Sequence, residues 1–270
     1  MPFIHIAVLA AVQGLTEFFP VSSSGHLVLV PHVFGWADQG LAMDVAVHVG
    51  TLGAVIAYFW RDLWRMAGGL GRLVQGKPNR EATLVFYFAA ATVPAVIAGL
   101  LLHQYMPGGI RSLVVVGWTT LGFGIVLWLA DRFSIMVRRI EHMKLFDALV
   151  IGLAQAVALI PGTSRSGITM TAARFLGMER HEAARFSMIL SIPAIAGAGV
   201  LEGWEMIKAG GTPFSPDILM AAGLAFVAGL FAILILMAWL RRASFAPFVV
   251  YRIALGSLIL ALSYGFVPQG

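Results

Sequence analysis

Residues 16–26 read T-E-F-F-P-V-S-S-S-G-H, Thr16 to His26, and they interrupt one of the most apolar stretches of the chain. A related run, P-G-T-S-R-S-G from Pro161 to Gly167, interrupts another. Each puts helix breakers near the middle of a segment otherwise suited to lipid. Segments 3–34 and 146–178 are therefore expected to form re-entrant helical hairpins rather than spans. Irregular backbone at membrane depth is tolerated only where it lines protein or a water-filled cavity.

The surrounding sequence supports that solvent. Of 270 residues, 59% are hydrophobic and 11% charged, against about 25% charged in a soluble domain. Six further stretches, roughly 41–60, 84–103, 112–130, 184–202, 218–240 and 247–266, reach the length of about 20 residues that a span requires. The expected fold is an all-α polytopic membrane protein of six transmembrane helices plus two re-entrant helical hairpins. With no cysteine, disulfides, thiolate chemistry and Cys-ligated metals are excluded. The start M-P-F-I-H-I-A-V-L lacks a basic region ahead of its apolar run, so mature protein is expected there rather than a cleaved signal.

A net charge of +5 is explained by loops, not by a nucleic-acid partner. Most of the 18 Lys and Arg fall in four groups: Arg61, Arg65, Arg72, Lys77 and Arg80; Arg132, Arg138, Arg139 and Lys144; Arg174, Arg180 and Arg185; and Arg241 with Arg242. The opposite loops carry only Arg111 and Lys208, while Arg165 and Arg252 lie inside apolar segments. The positive-inside rule puts the rich side in the cytoplasm. Both termini and the mouth of the first hairpin then face outward. The tryptophans fall mostly near expected span ends, as an interfacial belt would place them.

The two interrupting runs are copies. A single offset lays Gln13, Ser22, Ser24 and Gly25 on Gln155, Ser164, Ser166 and Gly167. Farther on, T-V-P-A-V-I-A-G (92–99) echoes S-I-P-A-I-A-G (191–197). The chain 1–270 is expected to be a single membrane domain of two repeats, 1–130 and 146–266, each a hairpin followed by three spans. Three is odd, so the second repeat must be inverted, as in many transporters. The hairpins then enter from opposite sides and bring S-S-S-G-H against S-R-S-G near the midplane.

Charged groups there are costly. A carboxylate or guanidinium at the bilayer centre costs about 2.5–3.5 kcal/mol on insertion scales and marks function with a partner. Glu17 has Gln13 one helical turn before it, suited to sharing a cation or water. Ser22, Ser23, Ser24 and Gly25 precede a new helix, and successive free N–H groups at a helix start bind phosphate. Arg165, between Ser164 and Ser166, offers a planar fork of donors for phosphate oxygens, and Thr169 adds a hydroxyl one turn on. An ion pair between Arg165 and Glu17 is the structural alternative. His26 is a nucleophile, a general acid or a metal ligand. Asp44 and His48 are weaker candidates for a supporting or metal role, and His5, His32, His103, His142 and His181 receive none.

Gln13-x-x-x-Glu17 followed by P-V-S-S-S-G-H, and the later P-G-T-S-R-S-G-I-T, resemble the two signature motifs of the bacterial undecaprenyl-diphosphate phosphatase family, the bacitracin-resistance proteins. The resemblance covers nearly the whole chain in length, motif order and apolar layout. It implies hydrolysis of undecaprenyl diphosphate to undecaprenyl phosphate and inorganic phosphate, which recycles the lipid carrier for peptidoglycan synthesis. It also implies dependence on a divalent cation, Mg²⁺ or Ca²⁺, and a site in the bacterial inner membrane open to the periplasm. Carried over, Glu17, His26, Ser23 and Arg165 are catalytic, while Ser22, Ser24, Gly25, Ser164, Ser166 and Thr169 bind phosphate. Glu17 and Gln13 are the metal positions; the family motif carries Glu or Gln at position 13, and Gln puts direct ligation there in doubt. The expected partners are undecaprenyl diphosphate and membrane lipid, and the sequence is compatible with a homodimer.

Two rivals share some features. A transporter or flippase of a phosphate-bearing lipid would use the same midplane architecture, but would need no acid–base group such as Glu17 or His26. The acid-phosphatase superfamily has similar P-S-G-H and S-R motifs, but the histidine expected after the second motif is missing here.

Overall fold

The structure, a computed structural model, describes residues 2–36, 40–106, 112–208 and 215–265. Arg111 lies outside them, as does the side chain of His32. Among the described residues there is no strand, only helices. Six are long and apolar enough to cross a membrane: α3 (Leu41–Tyr58), α5 (Arg80–Tyr105), α6 (Leu113–Phe133), α9 (Arg180–Lys208), α10 (Pro216–Trp239) and α11 (Ala246–Ser263). These are the six expected spans, with ends shifted by a few residues.

Both expected hairpin segments are pairs of short helices. In the first, α1 (Phe3–Phe18) stops because Phe19 precedes Pro20. A residue before proline is pushed out of the helical region, and Phe19 is extended at φ −66°, ψ 141°. The chain turns through Ser22 and restarts as α2 (Ser23–Phe34). In the second, α7 (Leu145–Val157) loosens through tight turns at 158–160, passes Pro161 and Gly162, and restarts as α8 (Arg165–Phe175). Gly162 has φ +86°, and a Cβ there would meet the Val116 carbonyl oxygen at 2.5 Å. Only glycine fits that turn.

The core explains how the pairs are held. Phe18, Ala54, Val55, Phe88, Ile151, Met170, Phe186 and Ile233 form one buried cluster drawn from both halves of the chain. Helix α1 packs on α10, and α7 packs on α5. At Gly14 a Cβ would come within 2.5 Å of Ala228 Cβ, so α1 and α10 touch backbone to backbone. Small residues permit such approach in lipid, where packing replaces the hydrophobic drive.

Two details differ from the sequence reading. Residues 61–81, expected as a basic loop, are mostly helical: α4 (Trp60–Val74) exposes Trp60, Trp64 and Val74 together with Arg61, Arg65 and Arg72. Its strong amphipathicity, rather than a span-length apolar run, makes the helix. The Pro-Ala echo also falls out of register. Pro94 lies in the second long helix after the first hairpin, whereas Pro193 lies in the first after the second.

The four basic groups do converge at one end. Arg185 binds Asp62 at 2.5 Å, Arg138 binds Asp147 at 2.5 Å, and Arg180 binds Asp131 at 2.6 Å. The Arg241 Nε donates to His181 Nε2 at 3.5 Å.

Candidate active site

The turns before α2 and α8 share an unusual backbone. Ser22 (φ +77°) and Ser164 (φ +70°) are the two non-glycine residues with positive φ among those described. Each side chain caps the helix it precedes: Ser22 Oγ accepts from Gly25 N at 3.4 Å and Ser164 Oγ from Gly167 N at 3.1 Å. Each also meets the serine two residues on, Ser24 at 3.2 Å and Ser166 at 3.3 Å. Such capping satisfies amides that a helix start leaves unpaired.

The turns then lock onto each other. Ser166 Oγ donates to the Phe19 carbonyl at 3.0 Å, and Gly162 N donates to Ser24 Oγ at 3.4 Å. Their remaining carbonyls need donors, because no water is available in hydrocarbon. Thr119 Oγ1 donates to Pro161 O at 2.6 Å and Thr120 Oγ1 to Gly162 O at 3.2 Å. Arg252, fully buried on α11, supplies the rest. Its guanidinium donates to Pro20 O at 3.3 Å, Gly162 O at 3.1 Å, Thr163 O at 2.9 Å and the carbonyls of Thr119 and Thr120. Among the described residues it has no carboxylate partner, so its charge stays uncompensated behind both turns.

Glu17 stands at the junction. Its Oε2 accepts from Gln13 Nε2 at 3.0 Å and Ser23 Oγ at 2.9 Å; its Oε1 accepts from Arg165 Nη2 at 3.0 Å. Arg165 Nη1 donates to the Ser187 carbonyl at 3.2 Å. A guanidinium carries five N–H donors, so three remain for a ligand. Thr169 does not face this opening. It is fully buried, with Oγ1 at 2.8 Å from Arg165 O and 2.7 Å from Ser187 Oγ, and it ties α8 to α9 behind Arg165. Ser22, Ser164 and Ser166 are likewise buried in caps and braces, whereas Ser24 is exposed.

His26 has a fixed tautomer. Nδ1 lies 2.7 Å from the Ser22 carbonyl, which can only accept, so Nδ1 carries the proton. Nε2 of the neutral ring therefore holds a lone pair, and it accepts from the Tyr251 hydroxyl at 2.6 Å. The rings stack with centroids 5.6 Å apart. Tyr251 and Arg252, consecutive on α11, are the residues that sequence reasoning passed over. The visible signal was Arg252, an always-charged side chain inside an apolar span. His48 bonds the Asp44 carbonyl through Nδ1 at 2.7 Å and lies close enough to Glu17 for their charges to interact.

Among the described residues no group of three or more His, Cys, Asp or Glu is placed to hold a metal. One orphan does point to an electrophile: Gln13 Oε1 is buried without a hydrogen-bond partner, beside the Glu17 carboxylate. Mg²⁺ is commonly held by one or two carboxylates plus substrate phosphates, and this oxygen pair fits that small protein share.

Fold and site together define an α-helical multi-pass membrane protein whose two broken helix pairs build one buried polar centre around a carboxylate and a guanidinium. The chain belongs to the bacitracin resistance protein BacA family, whose model matches residues 6–258. It is 52% identical over 271 residues to a protein of Rhodospirillum rubrum named undecaprenyl-diphosphatase 1, covering 98% of this chain and 96% of the relative. Undecaprenyl-diphosphatases of Ruegeria pomeroyi and Hahella chejuensis are 48% and 47% identical, each over 98% of this chain and nearly all of their own length.

Proposed function

We infer that the chain is an undecaprenyl-diphosphate phosphatase, hydrolysing the terminal phosphate of undecaprenyl diphosphate to leave undecaprenyl phosphate and inorganic phosphate. This activity recycles the lipid carrier and confers bacitracin resistance. Whole-length identity to proteins of that name supports it, and the observation that carries it chemically is the Ser23–Glu17 bond. A hydroxyl donating to a buried carboxylate is a nucleophile held against its base. A pure binding site for a phosphate-bearing lipid needs no such pair.

The residues divide the work as follows. The diphosphate meets the free donors of Arg165, the exposed Ser24 hydroxyl and the first amides of α2 and α8. The uncompensated charge of Arg252 lies behind the turns and favours the anion without touching it. Ser23 Oγ attacks the terminal phosphorus in line, its proton passing to Glu17 Oε2, as the bridging P–O bond breaks and undecaprenyl phosphate leaves. Water then attacks the phosphoserine and gives a proton to His26 Nε2, taking the place of the Tyr251 hydroxyl on that nitrogen. The P–Oγ bond breaks, Oγ recovers its proton from Glu17, and His26 gives its proton back to the departing inorganic phosphate. Positioning and charge stabilisation dominate such transfers. A Mg²⁺ or Ca²⁺ held by Glu17 and Gln13 Oε1 would add neutralisation of phosphate charge.

The matching turns at Ser22 and Ser164, and the exchange by which α1 packs on α10 while α7 packs on α5, support two inverted repeats with re-entrant hairpins. The gathered basic end supports a cytoplasmic face there and a catalytic centre opening to the periplasm.

Phosphate release from undecaprenyl diphosphate by the purified chain in detergent tests the function. Turnover that requires divalent cation and collapses in Glu17→Gln and Ser23→Ala is expected. Lipid binding without phosphate release would replace the enzyme with a transporter.

A further inference from the structure

The basic end holds a second charged cleft, whose lining shares no residue with the centre around Glu17 and Arg165. It lies between the 136–141 segment, the start of α9 and the α10–α11 turn, with a volume of about 470 Å³, inside the range of about 300–1,000 Å³ usual for ligand sites. Arg139, Arg180, Arg241 and Arg242 line it. A smaller cavity of about 250 Å³, lined by Trp128 and Arg132, adjoins it and shares Met136 and Arg180.

Pairing decides the character of this cleft. Arg139 is held by Glu179 at 3.1 Å and Arg180 by Asp131 at 2.6 Å. Glu182 is engaged by Arg185, His181 and the Ile140 amide. Asp131 is further saturated by Arg174 and by the Phe245 amide. Arg132, Arg241 and Arg242 have no acidic partner among the described residues, and of the lining acids only Glu141 is left without an ion pair. Three cations without an ion pair, Arg241 and Arg242 in the cleft and Arg132 in the smaller cavity, thus outnumber the one such anion, Glu141.

Apolar side chains stand at and beside these cavities. Met136 lines both and Trp128 the smaller, each exposed, and Phe133, Ile135 and Val137, neighbours of Met136 in sequence, are exposed as well. A free anion would have no use for such side chains, whereas a lipid would lay its chains along them. We propose that this cleft binds the phosphate of an anionic glycerophospholipid from the adjoining leaflet, with the headgroup on Arg132, Arg241 and Arg242 and the acyl chains over Trp128 and the Phe133–Val137 segment. Basic pockets between transmembrane helices take lipid headgroups elsewhere by the same physics. The site does not depend on the hydrolytic function, and none of its residues belongs to the catalytic centre.

The test is native mass spectrometry of the full chain in neutral detergent. Phosphatidylglycerol, phosphatidylcholine with the same chains, and inorganic phosphate are titrated separately. Phosphatidylglycerol is expected to bind saturably and the other two not. The double variant Arg241→Gln, Arg242→Gln should weaken phosphatidylglycerol roughly thirtyfold, the scale of two juxtamembrane arginines, and a single Arg132→Gln should weaken it less. All variants are expected to keep the wild-type melting temperature and phosphate release in lipid-free detergent. Equal affinity for phosphatidylcholine, tight binding of phosphate alone, or an unchanged double variant would each overturn the proposal.

Discussion

Arg165 Nη2 lies 3.0 Å from Glu17 Oε1, a pair 148 residues apart in sequence with side chains only 15% and 8% exposed. Each charge makes the other tolerable in hydrocarbon, and the pair welds the two turns into one centre. Removing one partner strands the other, which costs about 3–5 kcal/mol for a buried pair. Arg165→Ala should therefore lose both stability and activity. Arg165→Lys should retain most stability yet lose about 10²–10³ in kcat. A single ammonium cannot hold Glu17, the Ser187 carbonyl and a phosphate in one plane. Melting in detergent and phosphate release measure the two effects separately; near-wild-type kcat in the lysine variant would remove Arg165 from phosphate binding.

Ser23 and Glu17 share one hydrogen bond, and in the proposed reaction they work as a unit, so their loss should not be additive. Ser23→Ala and Glu17→Gln are each expected to cost about 10²–10⁴ in kcat, the usual scale of acid–base assistance. The double variant should be no worse than the worse single, as in other residues that work as a unit. Costs that multiply in the double variant would mean that the two act independently, and attack by Ser23 Oγ would be abandoned in favour of water.

Tyr251 touches the catalytic centre only through His26. Its hydroxyl donates to Nε2 at 2.6 Å, and the side chain is 45% exposed. Tyr251→Phe should lower kcat about tenfold, the value of one hydrogen bond of about 1.4 kcal/mol, with no loss of melting temperature. His26→Ala should cost far more. A phenylalanine variant as inactive as His26→Ala would promote Tyr251 from orienting His26 to contacting substrate.

Arg252 is the opposite case, buried and multiply bonded. It satisfies carbonyls of both turns and of α6, and each buried acceptor left bare costs about 1–3 kcal/mol. Arg252→Met should lower stability by about 3 kcal/mol or more. Arg252→Lys should recover part of that while activity stays low, because the positive charge returns but the turns are no longer fixed. A methionine variant that melts like wild type would show that the turn carbonyls find other donors.

These cases show what a sequence can display. Glu17, Ser23 and Arg165 were legible because charged and hydroxylic residues inside long apolar runs have no cheap structural excuse. The six spans followed from apolar length alone. Helix α4 was missed because a two-faced helix of 15 residues looks polar to any test of span length. Tyr251 was invisible, since its role depends on a fold that brings it onto His26 from 225 residues away. The serines illustrate a subtler limit: composition marks all of them as phosphate ligands, but positive φ commits Ser22 and Ser164 to capping.

The direction of the centre is open to a direct chemical test, because a chain without cysteine accepts single reporters. Gln75 and Met106 flank α5, whose 26 residues span roughly 39 Å at 1.5 Å per residue, enough to separate its ends by a bilayer. Both positions are exposed. Gln75 sits with the basic groups and Met106 at the far end of the helix. In intact cells a membrane-impermeant maleimide should label Met106→Cys directly, and Gln75→Cys only after permeabilisation. The opposite pattern would place the basic end outside, against the charge rule, and would turn Ser23 and Glu17 toward the cytoplasm.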